Sequence, residues 1–325
     1  MSTFDPYTGR AVADDALAPL RAFRSSGGES FHMLGVDGAR ARYEASCRAN
    51  GLIRDPVARV EDMAVDDRFI VRIYDPRSDD SPSPVILFIH GGGWVMGSLD
   101  THDGLCRRLA TRTGYPVAAV DYRLAPEHRY PAAIDDCRAA LQWVSASPSH
   151  GLTPRSIVLV GDSAGGQLAA SLAIEATRTP SPVPICAQVL LYPVTDLTTR
   201  SNSYERVING FPLVAETMEW FADLYIPPGV DRTSADLSPL HADLSQALPP
   251  AYICTVDNDP LADEGILYAA ALSAAGTEVS AVHLAGYAHG LFTSAGTIAR
   301  GEQMVDKVAS FITEATVGHN SYLSL

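Results

Sequence analysis

Lysine is nearly missing from this chain. Lys307 is the one lysine among 24 basic residues, and the rest are arginine. Bases of either kind are also outnumbered, because 38 acids leave a formal charge of −14. Such a field repels phosphate backbones and anionic lipid, so neither nucleic acid nor a membrane surface is an expected partner. No apolar run approaches the roughly 20 residues of a membrane-spanning helix. No basic stretch near Met1 leads into an apolar one, so a secretory leader is not expected. Cysteine is sparse and scattered: Cys47, Cys106, Cys137, Cys186 and Cys254 form no CxxC pair, which argues against zinc. Five thiols without an export signal fit a reducing compartment, and a cytoplasmic location is expected. A Walker loop and GxGxxG are both absent. No metal, nucleotide or other cofactor is expected.

The composition that is present is globular, with 46% hydrophobic and 19% charged residues over 325 positions. Helical spacing of apolar residues marks 11–23 and 36–49, with Ser25 to Gly28 between them. Phe69, Val71 and Ile73 alternate as in a strand. Five short branched apolar runs follow, at 85–89, 117–120, 157–160, 189–192 and 253–256. They read as strands buried on both faces, as in a parallel sheet. Helical segments near 105–112, 132–144 and 164–177 alternate with them, so the fold class is α/β. The rhythm breaks between Thr195 and Pro250, where 214–225 reads as a helix carrying Trp220, Phe221 and Tyr225. An aromatic insertion of this kind suggests a lid over a pocket. The alternation resumes with a helix over 261–275, a strand over 278–284 and a last helix over 297–315.

Gly161-Asp162-Ser163-Ala164-Gly165 matches GxSxG between an apolar strand and a helix. A sharp turn there lifts a serine hydroxyl out of the sheet and into a helix N-terminus. His90-Gly91-Gly92-Gly93-Trp94 follows another strand directly. Glycines let backbone N–H groups face the oxygen that becomes negative during acyl transfer. A serine needs a base, and in the hydrolase order an acid and then a histidine follow it. His289 stands in a loop between Gly286 and Gly290, past the last strand, and is the expected base. His241 precedes the acid, His283 falls inside the strand, and His319 lies in a polar tail. The acid belongs just past the strand ending at Val256, among Asp257, Asp259, Asp263 and Glu264. The last two fit the first turn of a helix, where carboxylates are favoured structurally. Spacing alone leaves Asp257 and Asp259 unseparated.

These strings together resemble the hormone-sensitive-lipase-like carboxylesterases, also called bacterial family IV. HGGGW at His90, DYRLAPEHRYPAA over 121–133, GDSAGG at Gly161, DPLADEG over 259–265 and HG at His289 match in order. The resemblance implies an α/β-hydrolase fold: a mostly parallel sheet of about eight strands, flanked by helices, under a helical cap. The cap would comprise residues 1–55 and 200–228, and the catalytic core 56–199 and 229–325. It implies Asp259 as the triad acid, and Gly92, Gly93 and Ala164 as oxyanion donors, with Gly91 as a further candidate. Asp121 precedes the serine and is out of order, while His128, Arg123 and Glu127 read as structural. Trp94, Phe211, Leu213, Trp220 and Phe221 are candidates for an apolar substrate pocket. The function implied is hydrolysis of short- to medium-chain esters, possible partners being the small-molecule substrate and a second copy paired through the sheet edge. Lactones or N-acyl groups as substrates, acyl transfer to another acceptor, and a non-catalytic receptor are the alternatives.

Overall fold

The computed structural model describes residues 7–146 and 151–322. Its chain runs through α1 (Leu17–Ser25), α2 (Gly35–Asn50), β1 (Arg59–Val65), β2 (Phe69–Asp75) and β3 (Ser83–Ile89). Next come α3 (Asp103–Thr113), β4 (Val117–Asp121), α4 (Ala132–Ser145), β5 (Pro154–Asp162), α5 (Ala164–Arg178) and β6 (Ile185–Leu191). The insertion carries α6 (Asn202–Arg206) and α7 (Ala215–Tyr225). The chain closes with β7 (Ala251–Asn258), α8 (Ala262–Ala274), β8 (Val279–Ala288) and α9 (Ala299–Tyr322).

One sheet of eight strands results, in the order β1-β2-β4-β3-β5-β6-β7-β8, parallel from β4 to β8 and antiparallel at β1 and β2. The branched runs explain why. Val85, Leu87 and Ile89 point into one core, while Ile86 and Phe88 point into the other. Ile157 and Leu159 likewise oppose Val158 and Val160. A strand apolar on both faces must lie between two layers, here α4, α5 and α8 on one side and α3 and α9 on the other. Each such buried branched side chain contributes ~1.5–3 kcal/mol relative to exposure.

Every parallel strand therefore delivers its carboxyl end to one rim, where ligands of open α/β sheets bind. β3 ends before His90, β5 before Ser163, β6 before Tyr192, β7 before Asp259 and β8 before His289. Over this rim lie α2 and the insertion. Phe31, Ala39, Leu213, Met218 and Phe221 belong to the same continuous core as the sheet.

Four elements differ from the sequence reading. β8 runs on to Ala288 rather than ending at Leu284, so residues 285–288 are strand and the loop begins only at His289. α1 begins at Leu17 rather than Ala11, preceded by a 3-10 turn over Asp14–Ala16. The Arg10 and Ala13 N–H groups instead donate to Asn258 Oδ1 (2.6 Å) and the Gly286 carbonyl (2.9 Å), which stretches this segment across β7 and β8. β1 has no apolar alternation because it is an exposed edge strand bearing Arg59, Glu61 and Asp62. α9 runs on to Tyr322, so position 319 is helical rather than a tail. The solitary Lys307 faces solvent on this helix. No helix among the described residues is long and apolar enough to cross a membrane.

Candidate active site

Ser163 is the N-cap of α5, with φ 56° and ψ −120°. That left-handed conformation costs a non-glycine residue about 1–3 kcal/mol and persists only where the surroundings enforce it. Here the Ser163 N–H donates to the Leu191 carbonyl (2.8 Å), and its own carbonyl accepts from Gln167 N–H (3.1 Å). The hydroxyl thus stands at the strand end rather than capping the helix. His289 Nε2 lies 2.9 Å from Ser163 Oγ, and its Nδ1 lies 2.7 Å from Asp259 Oδ2. Asp259 has no exposed surface. Its other oxygen accepts the Leu261 N–H at 2.9 Å, which fixes the carboxylate plane. The Nδ1–H directed at Asp259 leaves the Nε2 lone pair to receive the serine proton.

The same rim holds a second pair of like composition. His283 Nε2 lies 2.9 Å from Asp257 Oδ1, and its Nδ1 lies 2.8 Å from Thr255 Oγ1. Asp257 also accepts from Gly286 N–H (2.9 Å) and the Arg10 guanidinium (2.8 Å). Burial opposes its charge, but His283, Gly286 and Arg10 outweigh burial and hold the carboxyl below its ordinary range. Each carboxylate left unseparated by the sequence therefore has its own imidazole, and only the Asp259 pair reaches Ser163.

Of the glycines after His90, Gly91 turns its N–H away, to Asp162 Oδ1 at 2.8 Å. Gly92 and Gly93 line the cavity above Ser163. Gly93 has φ 60°, and a Cβ there would strike the Phe221 ring. The Ala164 N–H, first in α5, has no intrahelical acceptor. Asp162 is buried beneath this loop. Burial opposes its charge, but His102 and the Gly91 N–H pull its carboxyl below the ordinary range. His102 Nε2 sits 3.1 Å from Asp162 Oδ1, off the line of a straight hydrogen bond, and its Nδ1 meets Thr101 Oγ1 at 2.9 Å. Both ring nitrogens of His102 are thus directed away from the serine. His90, buried and stacked 4.3 Å from Tyr122, is pushed down to about 4 by its burial and stays neutral.

The α/β-hydrolase-fold family model matches residues 86–293. A relative named ethyl acetate hydrolase, from Pseudomonas putida, is 37% identical over 265 residues, 79% of this chain and 83% of its own. The esterase LipI of Mycobacterium tuberculosis is 40% identical over 267 residues, 77% of this chain and 81% of its own. A solved ester hydrolase from the Lake Arreo metagenome, bound to a bipyridine phosphonate derivative, superposes with a TM-score of 0.87. It is 32% identical and covers 93% of this chain and 98% of its own. The chain belongs to the hormone-sensitive-lipase-like α/β hydrolases.

In this hydrolase only two of the five aromatic and aliphatic pocket candidates, Leu213 and Phe221, line the cavity. Trp94 is fully buried behind the glycine loop, stacked on Tyr225 at 4.6 Å and donating to Gln167 Oε1 at 2.9 Å. Phe211 packs with Leu20, Val207 and Val214 in a separate small core. Trp220 leans on Phe221 from outside, at 5.1 Å. The missed walls are Phe31, Tyr43, Met96 and Tyr192. Tyr192 could have been found, since it is the last residue of the apolar run 189–192 and so stands at a strand end. Its ring lies 4.3 Å from that of His289, and its hydroxyl accepts the Phe292 N–H. Phe31 and Tyr43 carried no local signal, because only tertiary packing brings them over the serine.

The remaining motif residues are structural. Arg123 forks onto buried Asp136 (2.8 Å to each oxygen), and Glu127 pairs with Arg40 of α2 (2.7 Å). Asp263 accepts the Ser203 N–H (2.8 Å), and Glu264 accepts the Thr195 and Asp196 N–H groups (2.7 and 3.2 Å). These two acids thereby tie the insertion to the first turn of α8, just past Asp259. Burial pushes the Glu264 carboxyl well above its ordinary value, despite those two N–H donors.

Proposed function

We propose that this α/β hydrolase is a carboxylesterase acting through an acyl-enzyme on Ser163. The observation that carries the reading is the continuous line from Asp259 Oδ2 through both His289 nitrogens to Ser163 Oγ. His289 takes the serine proton as Oγ attacks the ester carbonyl. The carbonyl oxygen, now negative, is held by the N–H groups of Gly92, Gly93 and Ala164. His289 then returns the proton to the departing alkoxide, and water cleaves the acyl-serine by the same steps. Asp259 orients the imidazole and stabilises its charged form without taking its proton. The lid is read as residues 1–55, of which 1–6 lie outside the described residues, with 200–228, a division supported by the packing of Phe31, Leu213 and Phe221 over the serine. Relatives named ethyl acetate hydrolase and esterase support carboxylic esters as substrates, which are read here as short- to medium-chain ones.

Two further readings stand on single features. β8 is a sheet edge with exposed faces, and Ile266 and Leu267 of neighbouring α8 are exposed, which supports pairing with a second copy there. Five buried, unbridged cysteines support a reducing compartment such as the cytoplasm.

The test is covalent labelling with a fluorophosphonate, followed by peptide mapping. Modification of Ser163, with matching loss of p-nitrophenyl butyrate turnover, is expected. Retained turnover after complete labelling elsewhere sinks the proposal.

A further inference from the structure

Two cavities flank the His289 ring, and they differ in size and in walls. The first holds Ser163, Gly92 and Gly93, is closed by Phe31, Tyr43, Met96, Leu213 and Phe221, and measures about 80 Å³. The second, about 300 Å³, runs between α1, α2 and the His289 loop. Its floor is mostly apolar, from Val12, Ala16, Leu20, Phe23, Leu291 and Ile298. Ser46, Pro212, His289, Gly290 and Ser294 line both, so the cavities meet at the imidazole. Neither Ser163 nor the glycine loop touches the second one.

Proton transfer decides which part of an ester goes where. The departing alkoxide takes its proton from His289 Nε2, so the alcohol portion must lie on the imidazole side. The acyl portion stays bonded to Ser163 Oγ after the alcohol has left, and must fit the chamber containing that atom. A cavity of about 150 Å³ just admits benzene. The serine chamber is smaller, whereas the trench beyond His289 has room for a chain of several carbons.

Resting on the esterase reading above, we infer that this enzyme's long-chain site is for the alcohol. Its substrates are short-acyl esters, acetates to butyrates, of extended apolar alcohols. The chain lies along α1 past Leu20, and the walls at Phe31 and Met96 limit the acyl group. Chain-length selection then acts in opposite directions on the two halves of the ester.

Isomeric esters separate the halves without changing composition. Hexyl acetate and ethyl hexanoate have the same formula and differ only in which side carries the chain. The expected result is a kcat/KM at least tenfold higher for hexyl acetate; equal values or the reverse order overturn the inference. Leu20→Trp narrows the trench and should lower the hexyl acetate to ethyl hexanoate ratio at least fivefold. Phe31→Ala opens the acyl wall and should lower the same ratio by raising ethyl hexanoate turnover. Each ratio is taken within one preparation, so partial unfolding cancels. A ratio unmoved by both variants also overturns the inference. Turnover of both esters with the chain preferred on the acyl side defeats this inference alone. Absence of turnover with either, together with no labelling of Ser163, defeats the esterase reading and this inference with it.

Discussion

At the residue scale the decisive contrast is between Asp257 and Asp259, two positions apart at the end of β7. Both are buried, and both face an imidazole below 3 Å. Alternation along a strand sends neighbours i and i+2 to the same side, so sequence spacing could not tell them apart. The register of β8, which the sequence cannot fix, decides that His283 serves one and His289 the other. Asp259→Asn should lower kcat/KM for p-nitrophenyl butyrate by at least about 10³, since an amide there favours the wrong tautomer. Asp257→Asn should leave it within about threefold. Steady-state kinetics on both variants checks this, and the opposite ranking reassigns the acid. Asp257 carries a stability signature instead. Its carboxyl is lowered in the folded state, so its stabilisation is present above the ordinary value of 3.8 and is lost as pH falls through the folded value. The gap in Tm between parent and Asp257→Asn should therefore be open at pH 7 and narrow as pH falls below the ordinary value of 3.8 toward the folded one, as scanning calorimetry would record. Ser163→Ala should cost about 10⁴-fold or more in turnover. A variant keeping a tenth of parental activity would clear this serine of the nucleophile's role.

At the scale of elements, loops are set by what they must hold. The strand runs from β3 to β7 were legible because two-sided burial leaves an unmistakable apolar string. β1 was not, since an edge strand of charged residues looks like a loop. The insertion was recognised from its broken rhythm, but its attachment was not. Asp263 and Glu264 looked like ordinary first-turn acids, yet they hold the insertion through Ser203, Thr195 and Asp196. Glu264 gives a prediction with a definite sign. Its carboxyl is raised in the folded state, so its contribution is intact below the ordinary 4.5 and erodes as pH rises toward the folded value. Glu264→Gln keeps an acceptor for both N–H groups without that cost. Its Tm should approach or exceed the parent's as pH goes from 4 to 7. Glu264→Ala leaves two buried N–H groups unpaired and should cost ~1–3 kcal/mol in chemical denaturation. A glutamine variant that loses stability over this pH range would mean the carboxyl is ionised after all. Gly93→Ala, which meets both a positive φ and the Phe221 ring, should reduce kcat by roughly 10²–10³ by displacing the N–H proposed as an oxyanion donor.

Across the whole molecule, five neighbouring parallel strands converge on one rim, and that convergence was readable from the order of motifs alone. The walls of the cavity were not. Phe31 and Tyr43 come from before the sheet begins, and only the wrapping of 7–50 over the carboxyl ends brings them near Ser163. That wrapping is anchored beside the His289 loop: Asp15 accepts from the Tyr287 hydroxyl (2.9 Å) and the Arg300 N–H (3.0 Å). The arginine bias serves the same end, since forked guanidinium groups join separate elements, as Arg108 does between Asp55 and Glu302 (2.6 Å each). What remains is a surface almost without side-chain amines. Lys307 points outward from α9, a helix that packs on α3. A resin or dye that captures primary amines will find that one handle besides the terminal amino group. It should fasten the protein in a nearly uniform orientation.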